Sequence, residues 1–405
     1  MIKNLFYCFL VALVWTSLLG CSNEEETSAN NERRDIDITR TEEELIQQNN
    51  HFALRMIQAI QDGNSHIVSP LSTTLVLAMI NNGADGETKQ QISKTLGFDT
   101  IDTENVNRFC KKLLTESPSL DRQVKLKLAN NIFMNKEYSL LPGFTNTIKD
   151  YYSVTPEEYD FNSSKTLEAI NRWCNDYTDG CIPKVLEELD PDGVGCLLSA
   201  VYFNGTWKDK FSKSATQDKL FYGGKKRQIP MMQRTGAYEY AENDTLQLLQ
   251  LPYGNGAFLM TVMLPHQDKS LDDMLELLDG WEFDNIRQTM AYKTVEVWLP
   301  TFETKTDIDL IDIMSKLGMP KAFSKEAEFP AFCNTPTFIS VMKQSSRIKV
   351  SEEGTEAASA SVAKAGYTDY IDPFHAEFHA DRPFIYLISE KSTGAIFFVG
   401  SYLGD

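Results

Sequence analysis

Positive charge is scarce in this sequence. Its 39 Lys and Arg stand against 57 Asp and Glu, leaving a formal net charge of −18. A surface built to hold nucleic-acid phosphates or anionic headgroups nonspecifically needs the reverse balance, so neither is expected as a partner of the folded chain. Basic runs such as Lys111-Lys112 and Lys225-Lys226-Arg227 are isolated and read as solvated surface. Also absent, after about residue 45, is any long Pro-, Gly- and Ser-rich stretch, so nothing marks a linker between domains.

The usual signs of catalysis are missing too. There is no GxSxG elbow, no HExxH and no P-loop, and Gly254-Asn255-Gly256 lacks the third glycine of a dinucleotide fingerprint. No catalytic residue, metal or cofactor is assigned, and the chain is not read as an enzyme. His375, Glu377 and His379 alternate with Phe374, Ala376, Phe378 and Ala380, the pattern of the polar face of an edge strand. Cysteines stand at Cys8, Cys21, Cys110, Cys174, Cys181, Cys196 and Cys333, never in CxxC spacing, which excludes a zinc knuckle or a thioredoxin-like site. Most are read as small buried apolar side chains, with a Cys174–Cys181 disulfide left open.

What is present in quantity is core material. Hydrophobic residues make up 42% of the chain, including 23 Phe, 16 Tyr and 5 Trp, enough for one large domain. The first twenty residues, MIKNLFYCFLVALVWTSLLG, place Lys3 ahead of an apolar run, the pattern of an export signal and too short for a permanent membrane span. They end in Leu18-Leu19-Gly20-Cys21, which resembles a bacterial lipobox and implies cleavage before a lipidated Cys21. Residues 22–45 hold few apolar groups and are expected to be solvated. Their Glu24-Glu25-Glu26 run resembles the surface-export signal of lipoproteins in the Bacteroides group. The expected organisation is a signal over 1–20, an acidic flexible tether over 21–45 and a folded domain over 46–405.

Within that domain, Leu45, Phe52, Leu54, Ile57 and Ile60 recur at helical spacing until Asp62-Gly63-Asn64. Ser69-Pro70 opens a second helix, with Ser69 suited to the cap and Pro70 to the first turn. A third is expected around Ala169 to Tyr177. Strands are expected at Val124 to Met134, Gly195 to Phe203, Thr245 to Leu251, Ala257 to Leu264, Thr294 to Leu299, Arg347 to Val350, Pro383 to Ile388 and Ala395 to Gly400. Helices come first and strands crowd the second half, which predicts an α+β fold.

One stretch is unlike the rest. Glu352 to Thr368 reads EEGTEAASASVAKAGYT, and in a strand successive side chains point to opposite faces. Thr355, Ala357, Ser359, Ser361, Ala363, Ala365 and Tyr367 share one face, six of them small, while the other carries Glu356 and Lys364. The segment can therefore enter a crowded sheet with its small face inward. A bulky or charged residue at Thr355 or Ala357 would obstruct the first step.

Several blocks, in order, resemble the serpin family of protease inhibitors. They are SPLSTTLVLAMINNGADGETKQQISKTLGF (69–98), LKLANNIFMNK (126–136), SAVYFNGTWKDKF (199–211), Met231-Met232, LPY (251–253), VEVWLPTF (295–302) and LGMPKAFS (317–324). VSEEGTEAASAS (350–361), ADRPFIYLI and GAIFFVG complete a match over roughly residues 45 to 403. The resemblance implies three β-sheets, eight to nine helices and an exposed reactive-centre loop. It further implies that a serine or cysteine protease attacks the loop, which then inserts into the main sheet and carries the acylated enzyme with it. About fifteen residues at roughly 3.3 Å each span about 50 Å. Deacylation tolerates little displacement of catalytic groups, so the dragged enzyme stalls in a covalent complex.

The resemblance also implies site residues. The hinge comprises Glu352, Glu353, Gly354, Thr355, Glu356, Ala357, Ala358 and Ser359, and it keeps the inhibitory pattern rather than that of non-inhibitory binding proteins or chaperones, the alternative reading. Counting seventeen residues from Glu352, as the family does, places the reactive bond at Thr368–Asp369, with Tyr367 and Tyr370 as alternates. The two tyrosines suit a chymotrypsin-like pocket, and Thr368 an elastase-like one. Cleavage at Lys364 would leave a shortened strand. Beneath the main sheet, Ser69 and Ser72 fit the family's shutter, whereas Ser199 stands where Asn is usual and Gln344 where His is usual. A monomer, held to the bacterial outer membrane only through its lipid and exposed at the surface, is the expected state.

Overall fold

The chain is packed earlier than its composition suggests. In the computed structural model, which describes residues 31–278, 280–355 and 375–405, helix Arg40–Ala59 is preceded by Ile36, itself buried. Thr39 caps the helix: its hydroxyl accepts from Glu42 N–H (3.3 Å), and Glu42 Oε2 accepts from Thr39 N–H (2.7 Å). This reciprocal box satisfies two otherwise orphaned donors. The helix therefore starts inside the span 21–45, and one of the glutamates of that span is a helix-capping group.

Helix Pro70–Asn81 is buried over its whole length and so has no polar stripe. Ser69 Oγ accepts from Ser72 N–H at its start, and Pro70 occupies the first turn. The helix runs through the core between two sheets.

The six-stranded sheet has the order Phe302–Asp309, Met342–Ser351, Gly354–Thr355, Gly195–Thr206, Val124–Asn135, Glu157–Tyr159. Gly195–Thr206 reads as a continuous apolar run because both its faces are covered. Leu197, Val201 and Phe203 join the main core, while Cys196, Leu198 and Ala200 pack with Ile170 and Cys174 of helix Ser164–Tyr177.

The nine-stranded sheet runs from His66–Val68 through Ile396–Tyr402, Phe384–Glu390, Phe258–Pro265, Leu246–Pro252, Lys226–Glu242 and Ala291–Pro300 to the edge strand Ala376–His379; Gln217–Tyr222 pairs with Lys226–Glu242. Two of the three expected sheets are continuous here. The 17-residue strand Lys226–Glu242 pairs with Ala291–Pro300 over Met231–Tyr240 and with Leu246–Pro252 over Glu239–Glu242. Nine α-helices occur among the described residues, and none is long and apolar enough to cross a membrane.

Candidate functional site: the hinge and the strand gap

Strands Met342–Ser351 and Gly195–Thr206 run parallel but pair directly only where Met342 to Ser345 face Leu197 to Ala200. Higher up, Gly354–Thr355 stands between them, antiparallel to both. Thr355 lies opposite Val350 and Gly205, and Gly354 opposite Ser351 and Thr206.

Only glycine fits at 354. Its φ is +147°, and a Cβ there would lie 2.1 Å from Gly205 O and 2.7 Å from Thr206 Cα. Thr355 is fully buried, with Oγ1 2.6 Å from Tyr253 Oη. Burial pushes the Tyr253 phenol far above its ordinary pKa, so it stays protonated and available for this bond. Tyr253 stacks on Trp207 (ring centroids 4.4 Å apart, 13° between planes), and Trp207 Nε1 donates to Ser351 O at 2.8 Å.

Main-chain bonds hold the preceding turn. Trp207 N–H donates to Glu353 O (2.9 Å) and Phe211 N–H to Glu352 O (3.0 Å). Thr216 Oγ1 donates to Glu352 Oε1 (2.7 Å), and Glu353 Oε2 accepts from Lys210 Nζ (2.8 Å). The Lys210 ammonium holds the Glu353 carboxyl below its ordinary pKa, and Lys213 adds to this from 3.7 Å.

At the foot of the gap, Ser69 and Ser72 meet Ser199 and Gln344, which are far from them and from each other in sequence. Ser69 N–H donates to Gln344 Oε1 (2.8 Å); Gln344 Nε2 donates to Ser69 O (3.0 Å) and Thr73 Oγ1 (3.2 Å). Ser69 Oγ donates to Phe397 O at 2.7 Å, and the Ser72 and Ser199 hydroxyls share a hydrogen bond. Gln344 is buried, so these bonds offset the desolvation of its amide. Ser199 and Gln344 are also direct partners in the parallel register.

The four expected shutter residues therefore come together, as do hinge residues Glu352 to Thr355. Glu356, Ala357, Ala358, Ser359, Tyr367, Thr368, Asp369 and Tyr370 lie outside the described residues, as do Cys21 and the signal. Sequence reasoning missed Trp207, Lys210, Tyr253 and Thr73 as site residues, although all four fall within the quoted blocks. No disulfide joins the described cysteines Cys110, Cys174, Cys181, Cys196 and Cys333, so Cys174 and Cys181 are not bridged. Burial pushes the thiols of Cys110, Cys174 and Cys196 up to about 12. Among the described residues no cluster of His, Cys, Asp or Glu is arranged to hold a metal ion.

A family model described as serpin (serine protease inhibitor) matches residues 47–404. The chain belongs to the serpin family. Serpin B6 of Pongo abelii is 32% identical over 372 residues, covering 88% of this chain and 98% of that protein. Human leukocyte elastase inhibitor is 31% identical over 380 residues, covering 89% and 99%. The native-state structure of a thermophilic serpin, tengpin, superposes with a TM-score of 0.84 at 26% identity, covering 95% of this chain and 99% of that one. Serpins are generally protease inhibitors rather than enzymes, and they bind the proteases they inhibit.

Proposed function

We propose that this serpin is a suicide-substrate inhibitor of serine proteases, and of cysteine proteases of similar reach. It traps the acyl-enzyme by inserting its cleaved reactive loop between strands Met342–Ser351 and Gly195–Thr206. The observation that carries this reading is the placement of Gly354–Thr355 in that gap, paired on both sides. Carrying the same register six residues further would bring Ser361 opposite both Gln344 and Ser199. These two already pair with each other. One register therefore serves both flanking strands, and full entry requires only that the short direct pairing at the foot open. The small face of the loop, from Thr355 through Ala365, fits a space between packed neighbours.

The reactive bond is assigned to Thr368–Asp369, with Tyr367 or Tyr370 as neighbouring choices. Cys21 is assigned as the lipidated residue of an exported, surface-exposed bacterial lipoprotein that acts as a monomer. The soluble form starting after Cys21 is to be incubated with elastase-, chymotrypsin-, trypsin- and papain-like proteases. An SDS-resistant complex is expected, and sequencing the released C-terminal peptide locates the bond. Cleavage near Thr368 with full protease activity remaining would instead identify a substrate and favour a binding or chaperone role. Thr355→Arg is expected to convert inhibitor into substrate, and undiminished trapping by that variant would remove the hinge from the mechanism.

A further inference from the structure

The described chain begins with a clamp. Asn31 Nδ2 donates to Asp121 Oδ1 (3.0 Å), and Arg122 N–H donates back to Asn31 Oδ1 (3.0 Å). The segment that starts there is held at three further points. Arg34 donates to Ser119 O (2.9 Å), the buried Ile36 donates its N–H to Ser392 Oγ (2.9 Å), and Lys112 Nζ donates to Asp37 O (2.8 Å).

Asp121 is buried and uses both its oxygens. Oδ1 also accepts from Gln123 N–H (2.8 Å), and Oδ2 accepts from Asn255 N–H (2.7 Å). Asn255 Nδ2 donates to Leu120 O (2.9 Å), which ties the loop 120–123 to the turn 253–256 a second time. Gly254 has φ +43°, and a Cβ there would collide with the Asp121 carboxyl group, so the two fit only with glycine at 254.

The turn braced in this way is the one that carries Tyr253, whose hydroxyl meets Thr355. Tyr253 also bridges to Trp207, and Gly254 N–H donates to Thr206 O (2.8 Å), in the residue opposite Gly354. The loop 120–123 leads directly into Val124, which faces Gly205, the partner of Thr355. Clamp, turn and hinge therefore lie at the same end of the sheet, connected by bonds from Asn31 to Thr355.

We infer that Asn31, Asp121 and Asn255 are positioning residues for the hinge. They fix the turn that presents the Tyr253 hydroxyl, and so keep the first residue of the inserting strand seated in the gap. The inference rests on the inhibitory reading above. After acylation, insertion competes with hydrolysis of the ester, and a seated Thr355 needs no further ordering before the next residues pair. A loosened clamp slows the first step of entry and shifts the outcome toward cleaved inhibitor. It leaves unchanged the bond that the protease attacks.

The test compares the soluble form starting after Cys21 with N31A, D121N and S270A, against a panel protease that the parent traps. N31A removes both bonds of the clamp. D121N turns an amide donor toward one of the N–H groups that the carboxyl accepts from. S270A removes the cap of helix Leu271–Leu277, whose hydroxyl accepts from Asp273 N–H and has no hydrogen bond to the clamp. The ratio of cleaved inhibitor to SDS-resistant complex is expected to rise about two- to fivefold in N31A and D121N but not in S270A, with equal acylation rates in all four. Amide exchange over Val350–Thr355 should quicken in the same two variants. A ratio unchanged in N31A and D121N overturns the inference and leaves the inhibitory reading intact. A rise in S270A that matches theirs at equal loss of melting temperature also overturns it, because the effect is then one of general stability. If D121N does not fold, N31A decides alone. A parent that forms no covalent complex with any protease overturns the inhibitory reading and this inference together.

Discussion

Thr355 Oγ1 and Tyr253 Oη share a 2.6 Å hydrogen bond between two fully buried side chains, 102 positions apart in sequence. The bond fastens the first inserted residue to the turn after strand Leu246–Pro252, and Trp207 closes over it by stacking on Tyr253. Tyr253→Phe leaves the threonine hydroxyl buried without this partner, and Thr355→Val does the same to the phenol. Each is expected to cost about 1–3 kcal/mol, and the double variant less than the sum, because it removes both polar groups together. Thermal unfolding of the four proteins measures the coupling. Strictly additive losses would show that the two hydroxyls act independently.

Glu353 gives the hinge a pH dependence whose sign is fixed. Lys210 holds its carboxyl below the ordinary 4.5, so the bond contributes stability at all higher pH and loses it as pH falls through the lowered value. The pair is only partly shielded from solvent, and about 0.5–1 kcal/mol is a fitting scale. Glu353→Gln is therefore expected to melt lower than the parent at pH 7, and the gap should close as pH falls through the lowered value. A difference that stays undiminished down to the most acidic pH at which both proteins still fold would mean that the carboxylate charge is not what matters.

The family resemblance leads to Asn and His as the expected residues at Ser199 and Gln344, and the packing of the two gives a reason why Asn alone should not fit at 199. The cavity between Ser199, Thr73, Val76 and Met342 is about 10 Å³, close to one water-sized sphere. Gln344 already fills the space that a shorter partner would leave, through its bonds to Ser69 and Thr73. Ser199→Asn is expected to overpack the site and lower stability by about 1–3 kcal/mol. An unchanged or raised unfolding midpoint would show that the site can expand.

Much of this arrangement was legible in the chain, for reasons that differ by residue. Ser69 and Pro70 announced a helix start because caps and first turns have local chemistry. The hinge stood out because period-two segregation of small side chains is a local pattern. Tyr253 and Trp207 gave no such signal, since their role is a contact across the fold. Strand Lys226–Glu242 went unread because Pro230, Gly236 and scattered charges interrupt its alternation. The start of helix Arg40–Ala59 was hidden in an acidic run, where a capping glutamate looks like solvated chain. Ser199 and Gln344 were named only through the family resemblance, and their partners came from the fold.

On the proposed insertion mechanism, opening the gap would also move the strand beside it. Gly195–Thr206 is paired along almost its whole length with Val124–Asn135, from Met134 opposite Gly195 to Val124 opposite Gly205. Helix Ser164–Tyr177 packs on the face of Cys196, Leu198 and Ala200, so the strands cannot slide without shifting against it. At the end of that helix Asp179 binds both Lys125 and Lys127, the latter at 2.7 Å, which ties the helix to the moving strand. The hydrogen bond from Lys125 and then that from Lys127 hold the Asp179 carboxyl below its ordinary pKa. Asp179 has φ +51°, a conformation that Asp and Asn tolerate better than most residues, so Asp179→Asn removes the charge without adding backbone strain. A partly exposed ion pair is worth about 0.5–1 kcal/mol, so if it breaks on the way to insertion its loss should speed spontaneous conversion to the inserted, inactive form about two- to fivefold. The rate is read as loss of trapping activity on mild warming of the uncleaved protein. Conversion no faster than the parent's would mean that the helix moves together with the strand and that the tie stays closed during insertion.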